Sequence, residues 1–269
     1  MATFDAVAAR RLEQVYSTPD VVEQRAHART AVTARSRERG LDIGCGPGLL
    51  ACELARDVGP RGRIVGIDPS PDMIAMCAER ARRDALSGRT EFQEGDATDL
   101  RHPAESFDFI TVTQVYEYVL DMQRALAEAY RVLRPEGRLV IIDTDWESCV
   151  WHTENRDRTA RILSAWEQHF VHPHLPARLP GLLKGAGFHL RGVTVIPIVN
   201  LRLDGNTYSQ SMLDIISRFV VGRAGVARKM AQEWVADVRS QAERGEYFFS
   251  LCRYLFLADR PAAGPHADA

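Results

Sequence analysis

The stretch Leu41-Asp42-Ile43-Gly44-Cys45-Gly46-Pro47-Gly48 is an apolar run with one embedded acid that leads into three glycines at alternate positions. It predicts a strand that ends in a tight turn, where a ligand can contact backbone N–H groups because side chains are missing. A nucleotide-like cofactor is the ligand that such a turn indicates. A dinucleotide-binding loop needs a small residue where this chain has Leu49, so the spacing argues against hydride transfer.

A second acid follows at the spacing that a nucleoside site needs. The segment 62–70 is a short apolar strand that ends in Asp68, some two dozen residues beyond the glycine loop. A carboxylate at this place can accept hydrogen bonds from both hydroxyls of a ribose. The loop and the acid together indicate an adenosine-bearing ligand, and they leave its chemistry open.

These residues resemble the class I S-adenosylmethionine (SAM)-dependent methyltransferases, whose glycine loop reads Asp/Glu-x-Gly-x-Gly-x-Gly. Asp42, Gly44, Gly46 and Gly48 match that loop position by position. Three later segments match as well, and they are Glu94 to Leu100, Ser106 to Ile110 and Arg131 to Leu139. Their order and spacing are similar to the ubiquinone and menaquinone C-methyltransferase branch with its small-molecule relatives. The resemblance covers roughly residues 15 to 145.

Strand and helix signals alternate from the glycine loop onward, which predicts an α/β fold with a Rossmann-like sheet. With the resemblance, we expect seven mostly parallel strands, flanking helices and an antiparallel last strand. The expected fifth strand is 138–143, the sixth 189–199 and the seventh 247–257, with a helix over 154–170. We expect one domain over 1–269, divided into a helical cap 1–36, a core 37–202 and 246–260, a helical insert 203–245 and a flexible tail 261–269.

The insert between strands six and seven contains two amphipathic helices. Their apolar stripes consist of Tyr208, Met212, Ile215, Ile216, Phe219 and Val220, and of Ala231, Trp234, Val235 and Val238. Either both stripes pack on the core of the same chain, or they form a lid over the substrate pocket or a homodimer surface.

The resemblance implies which residues hold SAM and its product S-adenosylhomocysteine (SAH). It gives Asp68 to the ribose, Asp96 and the Ala97 backbone to the adenine, and the Gly44–Gly48 loop with Cys45 to the methionine half. Asp42 is expected to reach the methionine amino group, directly or through water. Further cofactor contacts are expected from Tyr16, Pro69, Met73 and Gln114.

Arg25 lies before the first strand, where relatives fold a helix over the cofactor. Its planar donor fork suits the methionine carboxylate. The alternative is a solvated charge on a helix face.

Tyr118 stands where relatives often have a histidine, so a base role cannot be transferred to this position. Tyr118 and Tyr116 either contact substrate, with Tyr116 as a candidate catalytic residue, or pack in the interior. At the end of strand five, Trp146 and Trp151 are candidate substrate contacts and His152 is a candidate base, since histidine accepts a proton at neutral pH. The alternative is that Trp151 packs and His152 is exposed.

The apolar and aromatic rim, to which Tyr208 and Met212 belong, favours a small aromatic or lipophilic acceptor. The net charge of −2 with mixed signs argues against a nucleic-acid substrate. Five scattered cysteines give no zinc pattern and are typical of a reducing cytoplasm. No apolar run approaches the ~20 residues of a membrane span. His172-Pro173-His174 lacks further ligands, so no metal is expected.

The sequence therefore predicts a SAM-dependent methyltransferase that acts by in-line displacement on carbon or oxygen of a small molecule, as in quinone or secondary metabolism. One alternative is a SAM-binding protein that transfers no methyl group and acts as a cyclisation catalyst or a binding module. Another is a nicotinamide-dependent dehydrogenase, which would bind NAD(H) in place of SAH.

Overall fold

The computed structural model describes residues 13–262, and within them seven strands form one sheet. The strand order is β3-β2-β1-β4-β5-β7-β6. Strands β1 to β5 are parallel to one another, and β7 runs antiparallel to β5 and β6. The predicted fold class is confirmed. The strands are β1 (Arg39–Ile43), β2 (Arg63–Asp68), β3 (Thr90–Glu94), β4 (Phe107–Thr113), β5 (Leu133–Trp151), β6 (His189–Asn200) and β7 (Phe249–Asp259).

Helices flank the sheet, and two of them form the insert between β6 and β7. They are α1 (Pro19–Val32), α2 (Leu49–Asp57), α3 (Pro71–Arg83), α4 (Met122–Val132), α5 (Arg156–Trp166), α6 (Leu175–Gly185), α7 (Tyr208–Phe219) and α8 (Arg228–Glu243). Short 3₁₀ turns cover Tyr116–Tyr118 and Glu167–His169. Side-chain caps set several helix starts: Ser70 Oγ accepts from the Met73 N–H at 3.4 Å.

Two apolar clusters cover the two faces of the sheet, and a third lies under the insert. This third group, which we call the insert cluster, joins buried residues of α7 and α8 to Trp146, Trp151 and Trp166. Both predicted stripes of the insert contribute to it, with Trp234 and Ile216 fully buried. The structure thus shows the stripes packed on their own chain, and a homodimer through the insert stays a prediction.

Some element boundaries differ from the expectations. Strand β5 continues to Trp151 instead of ending at Asp143, because its second half pairs with β7 through Asp145 opposite Cys252 and Trp151 opposite Phe249. An irregularity between 145 and 150 interrupts this pairing. The helix expected over 154–170 ends as α5 at Trp166 and continues as a 3₁₀ turn.

The described helices include none that combines the length and the apolar character needed to cross a bilayer. The expected tail 261–269 and the first part of the expected cap fall mainly outside the described residues.

Candidate functional site

A cavity opens at the carboxyl ends of β1 and β4, the edge at which ligands bind to open α/β sheets. It encloses about 540 Å³ of empty space, including the part that is open to solvent. Its lining comes from the N-terminal region, the glycine loop, the end of β4 and β7: Tyr16, Val21, Gln24, Arg25, Asp42, Gly44, Cys45, Gly46, Pro47, Leu49, Leu50, Thr113, Gln114 and Arg253. Seven of the predicted cofactor residues are therefore brought together: Tyr16, Arg25, Asp42, Gly44, Cys45, Gly46 and Gln114.

The glycine loop is fastened to the end of β2. The Gly46 N–H donates to Asp68 Oδ2 at 3.0 Å, and the Ser70 N–H donates to Asp68 Oδ1 at 2.9 Å. The Cys45 N–H donates to the Ile67 carbonyl at 2.9 Å. Each carboxylate oxygen has two lone pairs, so Asp68 retains acceptor capacity for two ribose hydroxyls. Burial raises the pKa of Asp68 above its ordinary value.

The three glycines are required for different reasons, and all have left-handed backbone with φ of +67°, +50° and +74°. A Cβ on Gly44 would lie 2.2 Å from Val115 Cγ2, and one on Gly48 would lie 2.9 Å from Cys77 Sγ. A Cβ on Gly46 would meet only Tyr16, at 3.8 Å, on the cavity side. The loop therefore packs tightly against its own chain at its two ends and stays open to a ligand at Gly46, which fits a closely bound cofactor.

Asp42 lies on β1 beneath the loop and is almost completely buried. Its Oδ1 accepts from Thr111 Oγ1 on β4 at 2.7 Å. Burial raises the pKa of Asp42 to about 7, in spite of this hydrogen bond. A cation placed beside it would favour the ionised form, which is what a methionine ammonium group would do.

The residues predicted for the adenosine half lie along the same edge but outside the cavity lining. Asp96 follows β3, is exposed, and accepts at Oδ1 from the Thr98 N–H and from Thr98 Oγ1, both at 2.7 Å. Ala97 is buried beside it. Pro69 is exposed and Met73 is buried at the start of α3. Their contact with a cofactor stays a prediction.

Arg25 on α1 is buried, which excludes the alternative of a solvated charge. Its Nε donates to Glu53 Oε1 at 3.0 Å, and its Nη1 donates to the Tyr16 carbonyl at 2.5 Å. Burial raises the pKa of the Tyr16 hydroxyl to about 12, so this tyrosine is neutral at pH 7. The guanidinium thus lies at the cavity already balanced by one carboxylate, and its pairing with a cofactor carboxylate stays a prediction.

Gln114 marks the end of β4 with a left-handed backbone at φ +56°. Its N–H donates to the Ile142 carbonyl at 2.7 Å, and its Oε1 accepts from Thr144 Oγ1 at 2.5 Å. A non-glycine residue keeps this conformation only where its surroundings impose it, and such positions concentrate at functional sites.

The tyrosines after β4 lie in different surroundings. Tyr116 is fully buried in the core that α4 and α6 cover, its hydroxyl has no hydrogen-bond partner among residues 13–262, and it does not line the cavity. Tyr118 is 38% exposed and packs edge-on against His169. Interior packing therefore accounts for Tyr116, and a catalytic role for it stays a prediction.

The tryptophans at the end of β5 belong to the insert cluster. Trp146 stacks on Phe170 with ring centroids 4.8 Å apart, and Trp151 meets Trp234 edge-on at 5.2 Å. Trp151 Nε1 donates to the Tyr247 hydroxyl at 3.0 Å.

His152 is exposed and its backbone N–H pairs with the Phe248 carbonyl, outside the cavity lining. Tyr208 and Met212 are buried in the insert cluster, with the Tyr208 N–H on Asp20 Oδ2 at 3.0 Å. The base role of His152 and the substrate contacts of these side chains remain untested predictions.

Two charged residues that were not predicted from the sequence lie at or near this site. Arg253 on β7 lines the cavity and is 3% exposed. Glu117 is 1% exposed and accepts at Oε2 from Trp146 Nε1 at 3.0 Å. Burial raises the pKa of Glu117 to about 8. The sequence contained a signal for Arg253. Alternate residues of a strand lie on the same side, and Arg253 lies on the side of the buried Phe249, Leu251 and Leu255.

One group of possible metal ligands forms away from the cavity lining. Asp145, Glu147 and His174 each offer one atom, and these atoms lie within 4.8 Å of one another. From the sequence, His174 was considered as a possible metal ligand only together with His172. Such partly exposed groups are common without an ion, and nothing else among the described residues points to a metal here.

The comparisons with known proteins agree with this geometry. Residues 41–141 match the family described as a methyltransferase domain. The chain is 30% identical over 253 residues to an uncharacterised 37.1 kDa protein in transposon TN4556 of Streptomyces fradiae, which covers 92% of this chain and 70% of that protein. It is 36% identical over 104 residues to a demethylmenaquinone methyltransferase of Lactobacillus johnsonii, covering 39% of this chain and 43% of that enzyme.

Among solved structures, the 4+2 cyclase SpnF superposes with a TM-score of 0.60 at 22% identity, covering 97% of this chain and 84% of that one. The matches to named quinone methyltransferases span about half the length of those enzymes. The chain belongs to the class I SAM-dependent methyltransferase family.

Proposed function

We propose that this protein binds SAM at the glycine-loop edge and transfers its methyl group to carbon or oxygen of a small aromatic or lipophilic acceptor. The observation that carries the proposal is the Gly46 N–H on Asp68, which fixes an open loop and a ribose-accepting carboxylate side by side. Asp42 and Gln114 line the same cavity as the glycine loop.

SAM, when bound, supplies an electrophilic methyl group on a sulfonium. The residues of the chain bind and orient. Asp68 accepts from the ribose, Asp42 and Arg25 face the amino-acid part, and Gln114 holds the end of β4 in place. Alignment of the reacting atoms in a dry pocket can lower the barrier by ~7–11 kcal/mol, so a base is optional.

The acceptor class follows from the insert cluster and from the relatives. Trp146 and Tyr208 belong to the insert cluster, and the aromatic character of this cluster is the basis for proposing an apolar ring as acceptor. The relatives with known acceptors include a demethylmenaquinone and a phytyl-naphthoquinone methyltransferase. A quinone or secondary-metabolite acceptor in the cytoplasm is the specific form of the proposal. The mixed surface charge supports a small molecule over nucleic acid.

The test is incubation with methyl-labelled SAM and a panel of phenols, hydroquinones, enols and carboxylic acids, read by mass spectrometry. A product that carries the label, with SAH formed in equal amount, supports methyl transfer. Calorimetry that shows binding of NAD(H) and none of SAH would overturn the cofactor assignment.

A second candidate is a SAM-binding protein that promotes a cyclisation or acts as a binding module without transferring the methyl group. The likeness to SpnF over nearly the whole chain supports this candidate, because one fold serves both activities. Product formed without label transfer, in the presence of bound SAH, would favour it over methyl transfer.

A further inference from the structure

Arg253 is a buried cation at the point where three parts of the molecule meet. Its Nε donates to Thr144 Oγ1 at the end of β5, at 3.3 Å, and its Nη1 donates to Gln24 Oε1 on α1. Its guanidinium carbon lies 4.6 Å from the centre of the Tyr208 ring on α7. The side chain also lines the cavity beside the glycine loop.

The hydrogen-bond partners of Arg253 carry no charge, which sets it apart from the other arginine of this cavity. Arg25 has the Glu53 carboxylate at 3.0 Å, whereas no carboxylate of residues 13–262 lies within 4.0 Å of Arg253. The neighbouring acids Glu117 and Asp143 are buried, and burial raises the pKa of both. Among the described residues, no carboxylate is in direct contact with the guanidinium of Arg253, whose hydrogen bonds go to Thr144 and Gln24.

A buried charge without a direct counter-ion is energetically unfavourable in the wall of the cavity. Burial removes a cation from water, and Arg253 is only 3% exposed in the wall of the cavity. A guanidinium offers five N–H donors in a planar fork that matches two oxygens of an anion. Thr144 and Gln24 take one donor each, which leaves donors for a ligand.

Two anions are candidates for Arg253: the carboxylate of the cofactor and an anionic group of the acceptor. Arg25 and Asp42 line the cavity beside the glycine loop, which we propose holds the amino-acid part of the cofactor, whereas Arg253 contacts Tyr208 of the insert. Under the proposed function, the acceptor lies on the insert side of the cavity. Tyr208 covers one face of the guanidinium, which favours a charged group that binds at its edge.

We propose that Arg253 binds an anionic oxygen of the acceptor, so that the acceptors of this enzyme carry a carboxylate, phenolate or enolate group. The inference rests on the proposed function, because it assumes an acceptor beside the cofactor. It narrows the aromatic or lipophilic class to members that bind as anions. It also identifies a specificity residue on β7, beyond the segment that the methyltransferase family matches.

The experiment measures binding to the complex of the full chain with SAH. Three carboxylates are compared by calorimetry with their neutral amides: benzoate with benzamide, 2-naphthoate with 2-naphthamide, and octanoate with octanamide. We expect at least one carboxylate to bind about 10- to 100-fold more tightly than its amide, as a charge-assisted hydrogen bond provides. Arg253→Gln should abolish this preference, and the exposed control Arg202→Gln should keep it. Carboxylates that bind no better than amides would overturn the proposal.

A second arm tests the cofactor as the source of the anion. SAH has a carboxylate and 5′-methylthioadenosine has none. If Arg253→Gln weakens SAH about tenfold or more and leaves methylthioadenosine unchanged, the anion is the cofactor's own and the acceptor proposal is wrong. Should Arg253→Gln fail to fold, Arg253→Lys decides: it must weaken the carboxylates and spare the amides. If the unaltered protein does not bind SAH, the proposed function itself is wrong.

Discussion

The two ends of the site are built in different ways. The glycine-loop end, formed by residues 44–48 with Asp42 and Asp68, comes from two consecutive strand-to-helix turns and uses backbone N–H groups and carboxylates. The insert end brings together β5, β7, α1 and α7 from across the whole chain, and it uses aromatic packing. The first is encoded locally and the second by contacts distant in sequence.

This difference indicates how far each end of the site tolerates amino-acid substitution. A loop whose glycines are fixed by contacts such as Gly44 against Val115 tolerates little change. Packed aromatic side chains accept many substitutions of similar volume, so the insert end can vary more than the glycine loop. Substitutions at each end should therefore affect different measured quantities.

The largest effect is expected from Trp234→Ala in the insert cluster. Trp234 is fully buried against Trp151, so its truncation should lower the free energy of unfolding by ~3–5 kcal/mol in urea denaturation. Exposed Gln232→Ala on the same helix is the matched control. A loss below ~1 kcal/mol would mean that the insert does not share the cooperative core.

Asp68→Ala should weaken cofactor binding, because Asp68 belongs to the glycine-loop end of the site. Loss of the ribose contacts should weaken SAH by ~2–4 kcal/mol in calorimetry, and methylthioadenosine, which keeps the ribose, by a similar amount. Exposed Asp72→Ala, four residues on, serves as control. Unchanged affinity would remove Asp68 from the ribose site.

Asp42 makes the glycine-loop end sensitive to pH. Its folded-state pKa of about 7 exceeds the ordinary value of ~3.9, so the folded state binds more protons between these values. The contribution of Asp42 is fully present below pH ~4 and is lost as pH rises towards 7. Asp42→Asn should therefore be more stable than the unaltered protein at pH 8, by roughly 1–3 kcal/mol. The two proteins should converge near pH 4, and a constant gap would contradict the assignment.

Proton release on SAH binding provides a second test of the pKa of Asp42. An ammonium beside Asp42 would favour its ionised form, so SAH binding near pH 6 should release up to about one proton. Calorimetry in buffers of different ionisation enthalpy measures this release. Asp42→Asn should show none of it.

The smallest effect is expected from His152→Ala. Because His152 is exposed outside the cavity lining, its removal should change stability by less than ~0.5 kcal/mol and leave the pH–rate profile with any identified acceptor unaltered. A profile that becomes flat near neutrality would establish His152 as the base and extend the chemistry beyond the cavity.

Much of the architecture was predictable because its signals are local. The Ser70 cap, the glycine turn and the alternation of strands and helices each depend on residues a few positions apart. The end of β5 was not predictable in this way. Its extension to Trp151 depends on pairing with Phe249 of β7, about a hundred residues away. Expectations for Tyr116 and His152 came from their place in the chain, which does not say whether a side chain points to the core, the cavity or solvent.

The sequence by itself determined the class I methyltransferase fold and the glycine-loop end, because steric and hydrogen-bonding needs of a tight turn act between neighbouring residues. Only the tertiary structure decided that Arg253 reaches Gln24, 229 positions earlier, and Thr144, 109 positions earlier. That meeting depends on the antiparallel register of β7 between β5 and β6. Register is a property of the assembled sheet, and a buried charge has meaning only once its neighbours are known.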